Sequence, residues 1–204
     1  MRYFNAHRVT EDFESVLASY TGARFAVAVD SCTNAIFLCL KWLGVEGKEI
    51  TIPSHTYMSV ACQIKHAGAN IKFKRSSKLL TGAYQLAPTP IWDSSLRFTT
   101  NMYKSGQFMC LSFTGPNKIL KLGKGGAVLT DDLKAYEWLK RARYHGRNPV
   151  DHLTDNFDML GWNMFMTPET AARGIFLMGG MKGNKDVTQE YQDLSQFEIY
   201  TCKK

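Results

Sequence analysis

The sequence predicts an α/β domain of three layers (α/β/α), in which helices cover both faces of a mostly parallel sheet. Three observations lead to this prediction. Strand-like and helix-like segments alternate between residues 25 and 74, the strand-like segments are short and largely apolar, and glycines separate many of them. Short apolar runs are typical of strands that are buried on both faces, as in a parallel sheet. With 204 residues the chain can form one such domain, which we assign to residues 1–204.

The first half of the chain supplies the clearest elements. A helix is predicted to begin at Thr10, a suitable N-cap residue, and to end at Gly22, because the apolar residues between them recur at helical spacing. The alternation that follows predicts a β-α-β-α-β unit, which consists of Phe25–Val29, Asn34–Leu43, Glu49–Ile52, Thr56–Ala67 and Ile71–Lys74. Strands that are joined through a helix usually run parallel in one sheet.

The second half of the chain is less regular. Residues 76–90 contain serine, threonine, glycine and two prolines, and we predict a connection without regular structure there. The remaining predicted elements are strands at Ile91–Asp93, Gln107–Phe113 and Ala127–Thr130, a helix from Asp131 to about Tyr144, a loop-rich stretch Asn148–Trp162, and a helix that opens with Thr167-Pro168-Glu169. No internal repeat or change in composition indicates a second domain.

The composition is that of a globular protein, with 45% apolar and 21% charged residues. Five scattered cysteines, most of them in apolar runs, are typical of reduced core thiols, and we expect a cytoplasmic protein. No apolar stretch is long enough to span a membrane, and Met1–Asn5 does not open a signal peptide. The histidines show no metal-ligand spacing, so no metal site is predicted.

The net charge of +7 at pH 7 is compatible with two kinds of partner, a nucleic acid and an anionic small ligand. Many of the basic residues lie between Lys118 and Arg147, but aromatic residues are not interleaved with them in an evident pattern. Such spacing favours a solvated helix face over a nucleic-acid groove. The charge alone does not choose between the partners.

The segment GPNKILKLGKGG, residues 115–126, places three lysines among glycines. A phosphate-binding loop of a nucleotide hydrolase is one interpretation, since glycines let backbone N–H groups surround an anion. The spacing from Gly115 to the Gly123-Lys124 pair is too long for that motif, and Gly125 stands where Ser or Thr is required. A strand follows instead of a helix. These features exclude the hydrolase loop.

Polar residues follow or end the predicted strands. Ser31 and Thr33 lie between a buried strand and the start of a helix, where unpaired N–H groups and the helix dipole favour a phosphate. Asp93 is predicted to end a strand, which would bring its carboxylate to the edge of the sheet where α/β proteins bind ligands. Ser112 ends a later strand, and Lys118 follows it in a tight loop that could reach the same edge.

Tyr57 is predicted to lie just inside a helix, where its aromatic face could cover a flat ring. A phosphate site, a flat ring, a carboxylate for a ring nitrogen and a lysine for an aldehyde are together the requirements of pyridoxal 5′-phosphate. Taken singly, each residue also has an ordinary structural interpretation as a helix cap, a core side chain, a turn residue or a solvated lysine. Their joint occurrence favours the cofactor.

The chain resembles the DegT/DnrJ/EryC1/StrS family, the sugar aminotransferases among the fold type I enzymes that depend on pyridoxal 5′-phosphate. The resemblance lies in blocks that follow the order of the family: AVAVDSCTNAIFLCLKWLGVEGKEITIPSHTYMSVACQIKHAGANIKF, IWDSS, CLSFTGPNKILKLGKGGAVLTDD, RYHG and GWNMFMTPETAA. It implies the large domain of fold type I, lacking most of the C-terminal small domain. Lys118 resembles the family's lysine, in preference to Lys121 and Lys124, because of its distance to Gly123.

The resemblance implies a role for each candidate residue and a reaction for the protein. In these implied roles the phosphate is bound by Ser31, Thr33, the backbone of Cys32 and Ser112. Tyr57 stacks on the ring, Asp93 pairs with the pyridine nitrogen, and Lys118 is the Schiff-base lysine. Asn163 reaches the phosphate in the neighbouring subunit of a homodimer. The implied reaction is transfer of an amino group from an amino acid such as glutamate to a nucleotide-linked keto sugar.

The chain departs from the family pattern in several places. Cys32 replaces the middle glycine of the phosphate triplet, and the stretch between Phe73 and Ile91 is too short for the strands and helices that are usual there. Other departures are Leu96, Phe165, Lys124 and one additional residue between Ser112 and Lys118. These departures keep open an alternative function, that of a catalytically inactive relative with a role in assembly or regulation. A basic nucleic-acid binder is a third hypothesis.

Overall fold

The computed structural model of the chain describes residues 7–181 and 183–201. Met1–Asn5 and the fifth cysteine, Cys202, lie outside the described residues. The helices are α1 (Arg8–Thr21), α2 (Cys32–Trp42), α3 (Met58–His66), α4 (Leu133–Ala142), α5 (Pro168–Met178) and α6 (Glu198–Thr201). The strands are β1 (Phe25–Val29), β2 (Glu49–Pro53), β3 (Asn70–Lys74), β4 (Leu79–Gln85), β5 (Ile91–Leu96), β6 (Phe108–Ser112), β7 (Gly126–Thr130) and β8 (Thr188–Glu190).

Local capping chemistry explains several helix ends. The side chain of Ser31 caps α2 and that of Thr167 caps α5, each by accepting a backbone N–H of the first turn. Gly22 ends α1 in the left-handed conformation, with φ of 76°. The prediction that Thr10 caps α1 is wrong, because the helix begins at Arg8 and Thr10 lies within its first turn.

The main sheet has six strands in the order β1-β7-β6-β5-β4-β8. Among these described strands only the β5–β6 pair is parallel, and all other neighbours are antiparallel. The prediction of a mostly parallel sheet is therefore wrong. The apolar runs of β1 and β7 reflect burial on both faces of the sheet. Helices that cover a sheet bury its strands in this way whether neighbouring strands are parallel or antiparallel.

The predicted β-α-β-α-β unit is divided between two sheets. β2 and β3 form a separate parallel pair, joined through α3, while β1 pairs with β7 in the main sheet. Reciprocal backbone hydrogen bonds of 2.7 and 3.1 Å between Thr51 and Ala87 link the small sheet to the chain that follows β4. This link holds α3, and with it Tyr57, beside the main sheet.

The segment predicted as an irregular connection contains β4. This strand pairs with β5 along one edge and with β8 along the other. Its side chains are mostly exposed or half-buried, and Gly82 interrupts it at a positive φ of 71°, next to a register shift. A half-exposed strand with a glycine kink lacks the apolar run that reveals a buried strand.

Two groups of core side chains cover the two faces of the main sheet. Alternate residues of β1 divide between them, with Val27 packing in the group that includes α2, α3 and α4, and Ala28 in the group that includes α1 and α5. The three-layer arrangement expected from the sequence is thus present. No helix within the described residues is long and apolar enough to cross a lipid bilayer.

Candidate functional site

A cavity of about 300 Å³ lies where the N-terminus of α2 meets β5, β6 and the loop that follows β6. Among its lining residues are seven of the candidates from the sequence: Ser31, Cys32, Thr33, Tyr57, Asp93, Ser112 and Lys118. Residues that are far apart in the sequence therefore meet around one hollow. Asn163, the eighth candidate, does not line this cavity.

The first turn of α2 forms one side of the cavity. Because α2 begins at Cys32, two residues earlier than predicted, the N–H groups of Cys32 and Thr33 belong to the turn that has no intrahelical partners. The hydroxyl of Ser31 accepts the N–H of Asn34 at 3.2 Å, and that of Thr33 bonds to Ser59 at 2.9 Å. The positive end of the helix dipole makes this turn suitable for an anion.

Gly126, at the start of β7, allows the chain to pass close beneath this turn. A Cβ atom on Gly126 would lie 2.4 Å from the backbone nitrogen of Cys32 and 2.4 Å from the carbonyl carbon of Ser31. No side chain fits at such distances. The glycine therefore determines how closely β7 can support the turn that faces the cavity.

Asp93 is buried in the wall of the cavity, with 3% of its surface exposed. It lies inside β5 rather than at the end of a strand, because β5 continues to Leu96, and this corrects the predicted position. Oδ1 accepts the backbone N–H of Ser95 at 2.9 Å. Burial raises the pKa of Asp93, and its hydrogen bonds and the charge of Lys118 only partly oppose that effect. The charged form of such a buried carboxyl group is stabilised when a cationic group binds next to it.

Lys118 lies in the loop between β6 and β7 and is only 9% exposed. The base of the loop is closed by backbone hydrogen bonds of 3.0 Å from Phe113 to Gly125 and from Leu122 to Phe113. Burial lowers the pKa of Lys118, while Asp93 and Cys32 act in the opposite direction. A lower pKa increases the fraction of neutral amine, which is the form that attacks a carbonyl carbon. Lys121 and Lys124, in contrast, are exposed.

Cys32 replaces a glycine of the family pattern, and its side chain lies on the cavity side of α2. Its Sγ is 4.0 Å from Oδ1 of Asp93 and 3.5 Å from the carbonyl oxygen of Cys110. Burial, with a contribution from Asp93, raises the pKa of Cys32 well above its usual value, so the group is a neutral thiol. The thiol therefore adds no negative charge next to the anion-binding turn.

Tyr57 is half-exposed at the mouth of the cavity. It is the N-cap residue of α3 and not, as predicted, a residue inside that helix. Its ring lies 6.3 Å from the ring of Tyr191, at an interplanar angle of 59°. Tyr57 thus exposes about half of its surface at the mouth of the cavity.

Sequence reasoning missed the part of the site that comes from the C-terminal segment. Gln189 and Tyr191 line the cavity together with Asn117, which precedes Lys118. The only sequence signal was the β-forming run of Val187, Thr188 and Tyr191, which is too short and too polar to predict a strand by itself.

Asn163 is exposed and is not one of the residues that line the cavity. It pairs with Tyr144 through an isolated antiparallel bridge. Three large apolar side chains that precede it are also exposed: Leu153 at 83%, Phe157 at 64% and Leu160 at 91%. Asn163 thus does not share the cavity with the other candidates, and its role stays a prediction.

The residues present fit the groups of pyridoxal 5′-phosphate. The first turn of α2 suits the phosphate, the buried carboxylate of Asp93 suits a protonated pyridine nitrogen, and Lys118 offers an amine for the aldehyde. Within the described residues no group of three or more His, Cys, Asp or Glu side chains is placed to hold a metal ion.

Comparisons with known proteins point to one family. The sequence profile of the DegT/DnrJ/EryC1/StrS aminotransferase family matches residues 3–74 and 101–196. The family depends on pyridoxal 5′-phosphate. Residues 75–100, which include β4 and Asp93, are not matched by the profile. The evidence that Asp93 belongs to the site is therefore its position in the cavity of this structure.

Individual relatives are distant in sequence. GDP-perosamine synthase of Caulobacter vibrioides is 26% identical over 82% of this chain and 56% of the relative. UDP-4-amino-4,6-dideoxy-N-acetyl-beta-L-altrosamine transaminase of Campylobacter jejuni is 23% identical over 88% of this chain and 58% of the relative. The structure of Helicobacter pylori PseC, an aminotransferase of pseudoaminic acid biosynthesis, superposes with a TM-score of 0.70 and 17% identity, covering 84% of this chain and 57% of PseC. The chain shares their fold and spans somewhat more than half of their length.

Proposed function

Because the chain belongs to the DegT/DnrJ/EryC1/StrS aminotransferase family, we propose that it binds pyridoxal 5′-phosphate through Lys118 and transfers an amino group to a keto sugar. The proposed amino donor is an amino acid such as glutamate, and the proposed acceptor is nucleotide-linked. One observation carries the proposal: Lys118 and Asp93, both buried, line one cavity together with the N-terminus of α2. The names of two relatives, which include GDP and UDP, support the class of acceptor.

The cofactor, when bound, supplies an aldehyde that captures the amino donor and a ring that withdraws electrons from the donor's α-carbon. Lys118 acts first as a nucleophile, and its lowered pKa favours this role. Once the amino donor has displaced Lys118, its Nζ would be free to take a proton from the donor's α-carbon and to deliver it to the carbon that carried the aldehyde. Both roles require an amine that is held at the same place throughout.

The other residues bind and orient. Asp93 keeps the ring nitrogen protonated by offering a buried carboxylate as its partner. The hydroxyls of Ser31, Thr33 and Ser112 would lie beside the phosphate, and the N–H groups of the first turn of α2 would donate hydrogen bonds to it. Tyr57 covers one face of the ring. All five residues lie on the wall of the same cavity.

We further propose that the protein is a cytoplasmic homodimer and that residues 1–204 form a single domain. Asn163 would then reach the site of the neighbouring subunit, and the exposed Leu153, Phe157 and Leu160 would be covered by that subunit. The four cysteines within the described residues are free thiols, which fits a reducing compartment. Sedimentation or light scattering at several concentrations tests the dimer.

A second candidate function is that of a relative that binds the cofactor without transferring an amino group and acts in assembly or regulation. The size of the cavity favours this candidate. At about 300 Å³ it is at the lower end of small-molecule sites, and it offers little room for a sugar nucleotide beside the cofactor.

One experiment separates the two candidates. The protein is incubated with pyridoxal 5′-phosphate and reduced with borohydride, and the labelled residue is identified by mass spectrometry. A parallel sample receives glutamate, and the release of 2-oxoglutarate is measured in a single turnover. A label on Lys118 with release of 2-oxoglutarate supports the aminotransferase, and a label on Lys118 without release supports the second candidate. Absence of a label on Lys118 contradicts the proposed site.

A further inference from the structure

The C-terminal segment crosses the open edge of β4 and reaches the cavity. The side chain of Asp186 accepts hydrogen bonds from Arg97 at 2.6, 3.0 and 3.2 Å, and the backbone of Val187 bonds to Leu96 at 2.8 Å and to Gly82 at 3.2 Å. β8 then pairs with β4. The segment is therefore fixed to β4 and β5 before its side chains reach the cavity.

Gln189 joins this segment to the loop that carries Lys118. Its Oε1 accepts hydrogen bonds from the side-chain amide of Asn117 and, at 3.1 Å, from the hydroxyl of Tyr191. Asn117 is the residue directly before Lys118. The position of the amine is therefore coupled to β8 through a short chain of hydrogen bonds.

Tyr191 faces the interior of the site. Burial raises the pKa of Tyr191, and nearby Asp93 and Cys32 raise it further, so the hydroxyl stays protonated and can donate. Its ring is inclined by 59° to that of Tyr57, and the ring centres are 6.3 Å apart. Two rings at this angle and distance cannot enclose a flat ligand between parallel faces. If Tyr57 covers the face of a ligand ring, Tyr191 meets its edge.

We propose that β8 and the residue that follows it form a wall of the ligand site, in which Tyr191 contacts the edge of a bound phosphorylated pyridine ring and Gln189 positions the loop of Lys118. This inference rests on the proposed function. Tyr191 is then a binding residue. Gln189 acts through Asn117 and is a positioning residue.

Two ligands distinguish the two roles. Pyridoxal 5′-phosphate can react with Lys118, whereas pyridoxine 5′-phosphate, which has an alcohol in place of the aldehyde, can only bind. We expect Tyr191→Ala to weaken the binding of both ligands by about tenfold, because the ring contact is lost in each case. Gln189→Ala should weaken the binding of pyridoxal 5′-phosphate by about fivefold or more and leave that of pyridoxine 5′-phosphate within about twofold. Fluorescence titration measures both affinities.

The matched control is Glu190→Ala. Glu190, the last residue of β8, lies between Gln189 and Tyr191 in the sequence. It points to the opposite side of the chain and forms an exposed ion pair of 3.2 Å with Lys78. Its replacement should change neither affinity. Equal losses in Glu190→Ala and Tyr191→Ala, or no loss in Tyr191→Ala and Gln189→Ala, would overturn the proposal.

A measurement without ligand separates this inference from the proposed function. Hydrogen–deuterium exchange of residues 113–119 should become several-fold faster in Gln189→Ala and stay unchanged in Glu190→Ala, because only the first variant releases Asn117. Alkylation of Cys32 by iodoacetamide should become faster in Tyr191→Ala, since the wall that covers the cavity is opened. If the native protein binds neither ligand, these two rates still decide whether β8 closes the cavity. Unchanged rates in both variants contradict the proposed wall.

Discussion

The cavity has one wall made of α2, β5, β6 and the lysine loop, and another made of β8, which is attached to β4. The first wall is backed by strands that are almost wholly buried, such as β6 and β7. The strands of the second wall are mostly exposed or half-buried, and polar contacts such as that between Arg97 and Asp186 hold them in place. Core packing therefore holds the reactive groups of the first wall in position, whereas hydrogen bonds and ion pairs hold the second wall in position.

This difference has an energetic consequence. A buried side chain contributes through many contacts, whereas a single hydrogen bond contributes about 1 kcal/mol net. Regions held by few buried contacts open at a lower free energy than the core. We expect substitutions in the first wall to affect stability or chemistry strongly, and substitutions in the second wall to alter ligand binding and local opening with small effects on global stability.

The largest expected effect is that of Lys118→Ala. Loss of the nucleophile should lower amino transfer by at least about a thousandfold, because no other buried amine lines the described part of the cavity. Single-turnover release of 2-oxoglutarate measures the effect. The control is Lys121→Ala, which removes an exposed lysine from the same loop and should leave the rate within about twofold. Similar losses in the two variants would show that the loop, and not Nζ of Lys118, is responsible.

Gly126→Ala tests whether close backbone packing supports the first wall. The added Cβ would lie 2.4 Å from backbone atoms of Ser31 and Cys32, which cannot move independently of α2. We expect a loss of about 3 kcal/mol in the free energy of unfolding, measured by urea denaturation. Gly180→Ala is the control, since a Cβ there meets no atom within 4 Å. A loss below about 1 kcal/mol in Gly126→Ala would contradict the tight packing.

Asp93→Asn should separate activity from stability. Without a carboxylate for the ring nitrogen, amino transfer should fall by about a hundredfold. The folded protein without cofactor should become more stable by about 1 kcal/mol at neutral pH, because a buried charge is removed and Asn can still accept the N–H of Ser95. Thermal unfolding and single-turnover kinetics on the same samples measure the two effects. A variant that loses both activity and stability would contradict this assignment.

The pH dependence of the Asp93 effect has a definite sign. Burial raises the pKa of Asp93 in the folded state above its value in the unfolded chain, so the folded state binds more protons between the two values. The stability of the native protein relative to Asp93→Asn should therefore fall as the pH rises through the raised pKa. Below the ordinary pKa of about 3.9 the carboxyl is protonated in both states, and the advantage of the variant should disappear. Denaturation at several pH values tests this trend.

The smallest expected effect is that of Arg97→Gln in the second wall. The ion pair of Arg97 with Asp186 is partly exposed, with side chains 29% and 25% accessible, and its loss should lower global stability by only about 1 kcal/mol. Hydrogen exchange in residues 186–191 should nevertheless become faster, because this contact fixes the segment beside β4. A large loss of global stability would show that the two walls form one cooperative unit.

The two walls also differ in how far the sequence predicts them. Ser31 follows an apolar run and precedes a helix, so local patterns were sufficient to place it at an anion-binding turn. Gln189 contacts Asn117, 72 residues earlier in the chain, and neither residue belongs to an apolar or periodic segment. A contact between a polar strand and a distant loop leaves no signal in the local sequence, so it could not be predicted.

The local sequence pattern also could not predict the relative direction of neighbouring strands. The apolar residues of β1 predict burial on both faces, which the structure confirms, but they carry no information on whether β7 runs parallel or antiparallel beside them. In the same way, the polar segment of β4 becomes a strand only because β5 and β8 offer it partners. The family resemblance predicted the fold family correctly, since four of its five blocks lie within the residues that the family profile matches.

A crystal structure of the protein grown with pyridoxal 5′-phosphate tests the central claim most directly. We predict that the phosphate lies at the first turn of α2, that the ring nitrogen lies about 2.8 Å from a carboxylate oxygen of Asp93, and that a covalent bond joins the cofactor to Nζ of Lys118. A cofactor attached to a different lysine, or a ring nitrogen directed away from Asp93, would contradict the claim.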